Sequence, residues 1–191
     1  NYGVKYSTMR MYAEAELFYS ESLNLHKGSN HEESHESAAL ILRSLGSNSK
    51  SQGDYDRANQ YFIEALGLYR KVDKAHTEHH AVAGTLNCLG PNCTEKGQHF
   101  QSEEHLMESL ASYRTIIYGV HADHPDIAVV LNNLGYNYNR MGEFDKALEY
   151  LNQGLKIRQA LHGEGSIHNE IALILFNLGF NYCDMKDHEL A

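Results

Sequence analysis

The chain has 191 residues, 42% of them hydrophobic, enough to bury a substantial core without disulfide staples. Its 16 Lys and Arg against 25 Asp and Glu give a formal charge of -9, which repels phosphate and removes the electrostatic basis for non-specific nucleic-acid binding. Cys88, Cys93 and Cys183 form neither an even disulfide set nor a C-x-x-C metal spacing, and no run approaches the roughly 18 apolar residues of a membrane span.

Asn1 to Arg10 lacks the charged and apolar regions of a secretory leader, and three thiols at helical positions suit a reducing compartment, so the expected localisation is cytoplasmic, away from membranes. Internal similarity organises the rest. Leu45-Gly46, Leu89-Gly90, Leu134-Gly135 and Leu178-Gly179 follow one another at 44, 45 and 44 residues, with Tyr2-Gly3 in the same register. A small residue stands at a fixed distance after each pair, at Ala15, Ala58, Ser102, Ala147 and Ala191, while insertions fall only at the far end of each unit, where a loop tolerates them. The implied repeats cover about 1–34, 35–78, 79–123, 124–167 and 168–191, a single array.

In chain order, Tyr2-Gly3 falls midway along a partial first helix, and a second helix should then pass Ala15. The next unit has a first helix around Leu45 and a second through Tyr55, Ala58, Phe62, Ala65 and Leu68. In the third, Pro91 lies inside the first helix, where a missing N–H costs about 3 kcal/mol, so a kink is expected. His99 and Ser102 replace an aromatic residue and Ala there, which predicts looser packing. The fourth unit is the most regular: Ile127, Val130, Leu131, Leu134 and Tyr138, a turn at Met141-Gly142-Glu143, then Phe144, Ala147, Leu148, Leu151, Leu155 and Ile157. Gly135 and Ala147 mark the closest approach of its two helices. The fifth stops at Ala191 with its second helix barely begun, so the chain reads as a piece of something longer, and uncovered end repeats predict end-to-end self-association.

The run Leu131-x-x-Leu134-Gly135-x-x-Tyr138, followed by Gly142, Phe144, Ala147 and Leu151, resembles the tetratricopeptide repeat consensus, with Leu in place of the usual Trp. The periods overlap those of HEAT and armadillo repeats, but the L-G-x-x-Y and A-x-x-x-F elements decide for tetratricopeptide. The long unit, with His124-Pro125-Asp126-Ile127-Ala128 and Leu131-Asn132-Asn133-Leu134, is similar to repeats of kinesin light chains and of the repeat tails of nucleotide-switch immune or apoptotic sensors. The resemblance implies an all-α fold, a right-handed superhelical solenoid of antiparallel helix pairs with repeats of 43–45 residues. It also implies a scaffold that binds a peptide or partner domain on its concave face within a larger cytosolic adaptor or sensor.

In such arrays the first helices line the concave surface, so positions flanking each Leu-Gly pair become the candidate binding residues. They are Arg43, Ser47 and Lys50 in the second unit, Asn87 in the third, Asn132, Tyr136 and Asn139 in the fourth, and Phe176 and Phe180 in the fifth. Pro91, Thr94 and Cys183 occupy matching registers. The set grades from basic and polar to aromatic, which suits an extended peptide with an acidic end and an apolar end. Tyr136 and Phe180 equally fit contacts to a neighbouring repeat. Asn48, Asn92, Asn137 and Asn181 recur in one register and are read as a ladder between repeats in preference to a ligand site.

Of the 13 histidines, His31 with His35, His76 with His80 and His121 with His124 have helical metal-ligand spacing. His35, His79, His124 and His168 recur with the repeat, which accounts for them without a metal, and no metal or other cofactor is expected. Nor is catalysis: the glycines sit at repeat junctions and turns, and no cysteine has an activating context. The competing reading is a structural spacer or oligomerisation module with no groove ligand. A narrower binding alternative captures a C-terminal carboxylate through Arg43, Lys50 and Asn87.

Overall fold

The structure is a computed structural model that describes residues 2–26, 32–72, 77–117, 123–162 and 168–190. Every regular element among them is a helix. The chain divides into two compact units, Asn1–Lys96 and Gly97–Ala191. The first holds α1 (Tyr2–His26), α2 (Glu32–Ser51), α3 (Tyr55–Tyr69) and α4 (Thr77–Glu95). The second holds α5 (His99–Ile117), α6 (Pro125–Arg140), α7 (Phe144–His162) and α8 (Asn169–Leu190).

Within each unit the tightest pair is a first helix on its own second helix, α2 on α3 and α6 on α7. In the first unit Ala58, Phe62 and Leu66 of α3 pack on Leu86 and Leu89 of α4, while Ala65 and Tyr69 meet Ala39 and Leu42 of α2. In the second, Val130, Leu131, Leu134 and Leu151 are buried between α6 and its neighbours. Each such side chain contributes about 1.5–3 kcal/mol of transfer free energy. Gly135 sits where α6 and α7 come closest: a Cβ there would lie 2.5 Å from Leu151 Cγ and 3.2 Å from the Ala147 carbonyl, and one at Gly46 would lie 2.6 Å from the Phe62 ring. Small residues set this spacing.

The α2–α3 and α6–α7 turns have one design. Gly53 and Gly142 take φ of 80° and 78°, which favours glycine, and both hairpins close with a bond from the next N–H back across the helix end, Asp54 to the Ser49 carbonyl at 3.0 Å and Glu143 to that of Tyr138 at 2.9 Å. Asp54 then caps α3 by accepting from Arg57 N–H at 3.1 Å.

Two sequence expectations differ from the structure. Arg10 and Lys186 hold the register of the turn glycines, and there α1 and α8 run on as single helices instead of turning into a second one. A side chain in place of glycine disfavours the left-handed turn, so the helix continues. In the third repeat, where the kink is expected, α4 is helical from Thr77 across Pro91 to Glu95, so the proline does not end the helix. Pro91 forgoes one bond to the Asn87 carbonyl, and buried Leu86, Leu89, Asn92 and Cys93 around it supply packing that holds the helix. The second difference is Ser102, which is not loosely held but wholly buried.

Cys93 is buried as expected and Cys88 nearly so, but Cys183 is exposed. Burial pushes the Cys88 and Cys93 thiols up, keeping them protonated and unreactive. No described helix is long and apolar enough to cross a membrane.

Candidate functional site

The recurrent asparagines resolve first, because their partners are explicit. Each Nδ2 donates to a backbone carbonyl of the preceding repeat: Asn48 to Tyr12 at 3.1 Å, Asn92 to Tyr55 at 2.9 Å, Asn137 to His99 at 3.0 Å and Asn181 to Phe144 at 3.1 Å. The four acceptors share one register, and three of them are the first residue of a second helix. Asn137 Oδ1 also lies 3.1 Å from His99 Nδ1. These amides lock repeat to repeat and are spent on structure. Beside them Tyr138 stacks on Tyr150 with centroids 5.3 Å apart and donates its hydroxyl to Glu103 at 2.6 Å; burial, then that carboxylate, pushes its phenol far above the ordinary range.

The candidate binding residues fall into two groups by burial. Asn132 and Asn139 are buried and reach the next repeat: Asn132 Oδ1 accepts from Asn177 at 2.9 Å, and Asn139 donates to Asn181 at 3.0 Å, leaving its own Oδ1 without a partner among the described residues. Arg43, Lys50, Asn87 and Tyr136 are half-buried, and Ser47, Phe176 and Phe180 are exposed, Phe176 at 69%. Of the matching registers, Thr94 is buried on the Gly90 carbonyl at 3.3 Å, Pro91 is half-buried and Cys183 is exposed. Contacts to a neighbouring repeat therefore do not enclose Phe180 among the described residues.

Of these residues, Arg43 in the first unit and Asn132 in the second line a cavity between successive first helices and the end of the second helix between them, at equivalent positions of the two units. In the first unit Leu40 and Arg43 of α2, Tyr69 of α3 and Ala81 of α4 line about 390 Å³, with Glu36 at its edge. Arg43 also borders a polar cavity of about 380 Å³ against α1, with Tyr19, Ser47 and Ser51. In the second unit Val129 and Asn132 of α6, Arg158 of α7 and Glu170 of α8 hold those same four positions around about 70 Å³, walled by Ala128, Leu173 and Ile174. Each cavity has one arginine. It comes from the first helix in one case and from the second helix in the other.

Neither Arg43 nor Arg158 makes a hydrogen bond or ion pair among the described residues. Arg158 is 6% exposed, and its guanidinium nitrogens are not among the fully enclosed side-chain atoms that lack a partner. Glu170 feels its charge, and its carboxyl is held below the ordinary range by its own backbone N–H first and by Arg158, His162 and His168 after it, but no ion pair closes. In the first unit burial pushes the Tyr69 phenol up, so it stands neutral beside Arg43. Such a cavity offers a planar, bidentate donor next to apolar walls, which fits a carboxylate.

Arg158 escapes a search confined to first helices. The signal was present: Ala147, Leu151, Gly154 and Arg158 form one buried stripe, and the two repeats before it carry Tyr69 and Tyr113 where this one carries Arg158. A cation in a stripe otherwise filled by buried tyrosine marks an altered site. Of the paired histidines, His31, His76 and His121 lie outside the described residues, whereas His124 caps α6 by accepting from Asp126 N–H at 3.2 Å.

Comparison with known proteins supports one family. Residues 39–72 and 81–160 match profiles of the tetratricopeptide repeat, together more than half the chain. The crystal structure of BtubC (BKLC) from P. vanneervenii is similar at 22% identity and a TM-score of 0.74, over 93% of this chain and 68% of that one. Two structures of Podosopora anserina kinesin light chain nearly identical TPR-like repeats are also similar. One, a form carrying a single substitution, has 19% identity and a TM-score of 0.73 over 97% of this chain and 84% of that one. The other has 18% identity and a TM-score of 0.64 over 96% of this chain and 87% of that one. No curated protein matches the sequence. At these identities the structural likeness is one of fold. The repeat periodicity, the helix pairs and the profile matches agree, and the chain belongs to the tetratricopeptide repeat family, helical repeats that in general mediate protein–protein interaction and act as non-catalytic scaffolds.

Proposed function

We propose that the chain binds an extended peptide segment of a partner protein along the face formed by its first helices, and that arginine in the inter-repeat cavities receives an acidic side chain of that peptide. The observation that carries this reading is Arg158, 6% exposed and without a hydrogen bond or ion pair among the described residues, on a cavity that it shares with Glu170, Asn132, Asn133 and the apolar Ala128, Val129, Leu173 and Ile174. An incoming carboxylate supplies the missing acceptor, and an adjacent apolar residue fills the wall. Asn132, held by Asn177, presents an oriented amide at the same cavity. Arg43, Ser47, Lys50 and Asn87 serve the first unit in this reading, and Tyr136, Phe176 and Phe180 extend the surface of the second, while Asn139 is buried on Asn181. The host is a cytosolic adaptor or sensor, a placement that the unpaired Cys88, Cys93 and Cys183 support.

An array of synthetic octapeptides in which one central position is Asp or Glu and its neighbours are Leu or Phe tests this, with Asn and Gln versions as controls. The proposal expects the acidic set to be retained over the amide set, and the preference to vanish in Arg158→Leu. Equal retention of both sets would count against it. A second reading, end-to-end self-association, draws on Leu173, Leu175, Phe176 and Tyr182, all more than half exposed along α8. Light scattering that finds only monomer at high concentration would remove it.

A further inference from the structure

The position held by His124 in one repeat is held by His168 in the next, yet the two do different things. His124 accepts from Asp126 N–H at 3.2 Å and caps α6. At the start of α8 the corresponding N–H belongs to Glu170. The His168 ring lies against His162 at the end of α7, with ring centroids 4.0 Å apart and planes 28° from parallel. In the repeat upstream the His162 position is Ile117, so the pairing is a property of this one junction and not of the repeat. One nitrogen from each ring and one carboxylate oxygen of Glu170 all lie within 4.8 Å of one another, and all three residues are exposed.

From this we propose that His162, His168 and Glu170 form a binding site for a divalent late first-row transition ion, of which Zn²⁺ is the natural probe. Two imidazoles and one carboxylate are the donors of such ions, whereas Ca²⁺ and Mg²⁺ want oxygen alone. A Zn–N distance of about 2.0–2.1 Å requires the donors to draw closer together, which exposed side chains do by rotamer changes. Three protein donors leave a fourth position to water. The ion would clip the last residue of α7 to the first turn of α8, so its binding stabilises that junction by mass action. Glu170 is shared with the peptide cavity, whereas His162 and His168 lie outside its lining, so the histidine variants test the ion site apart from peptide binding.

The test is isothermal titration of the full chain with Zn²⁺ at neutral pH, with Mg²⁺ as control, accompanied by thermal unfolding. One equivalent is expected to bind, with a rise in Tm that Mg²⁺ does not reproduce. His162→Ala and His168→Ala should each weaken that binding at least about tenfold, since even groups behind a ligand are worth about 10–100-fold, and should abolish the rise. Zn²⁺ affinity in either variant equal to that of the unaltered chain, or no saturable equivalent in that chain, would overturn the site. Circular dichroism checks that the variants stay helical. If one does not, imidazole NMR of the unaltered chain decides: Zn²⁺-induced shifts at His162 and His168 support the site, and shifts only at other histidines refute it.

Discussion

Gly135 and Gly179 occupy one register of two successive repeats, yet alanine at these positions should move stability in opposite directions. Alanine is better than glycine inside a helix by about 1 kcal/mol. At Gly179 a Cβ would meet nothing within 4 Å, so Gly179→Ala should keep that gain. At Gly135 the new Cβ would stand 2.5 Å from Leu151 Cγ and 3.2 Å from the Ala147 carbonyl. Cγ is the branch point of a fully buried side chain and cannot swing aside as a chain end could. Overpacking of this kind costs about 1–3 kcal/mol, and with a backbone oxygen closing the second side the upper part of that range applies. The net result is a loss of about 1–2 kcal/mol for Gly135→Ala, and so a gap of roughly 2–3 kcal/mol between two chemically identical substitutions. Urea unfolding followed by circular dichroism reads this as midpoints moving in opposite directions at constant slope. Midpoints that move the same way, or a tolerated Gly135→Ala, would refute the argument that small residues set the helix spacing.

Other outcomes follow from the same geometry. Asn137→Ala removes the bonds to His99 and should cost about 2–3 kcal/mol in urea unfolding, whereas exposed Asn152→Ala should stay within about 0.5 kcal/mol. The Tyr138 phenol is pushed up in the folded chain, so its contribution to stability is whole below pH about 10, where the unfolded phenol begins to ionise, and is lost as pH rises beyond it. Tyr138→Phe should flatten that part of the stability–pH curve. Arg158→Leu should remove the preference for acidic peptides while leaving the far-UV circular dichroism of the chain unchanged, because Leu keeps an apolar stem at this 6% exposed position.

Much of the fold is legible in the sequence because the repeat writes it more than once. The Leu-Gly register, the small residue beyond it and the recurring Asn48, Asn92, Asn137 and Asn181 each name a contact that the structure contains. The ends of the array are less legible. Alignment by Leu-Gly placed turns in the first and last repeats, but Arg10 and Lys186 stand where those turns need glycine, and the helices continue. Pro91 removes one bond from α4, and the packing around it lets the helix run on. The site was half visible. First-helix positions could be counted from the register, whereas Arg158 acts from a second helix and is conspicuous only against Tyr69 and Tyr113. His162 and His168 belong to two repeats and meet only through the fold.

The most direct test of the account is a titration of the chain with the best acidic octapeptide from the array, followed by NMR at the Arg158 guanidinium and the Asn132 side-chain amide. The account predicts that both signals shift together and saturate at one peptide per site, and that the amide version of the same peptide leaves them unmoved. Saturable binding with the Arg158 and Asn132 signals unchanged would place recognition elsewhere on the chain and contradict it.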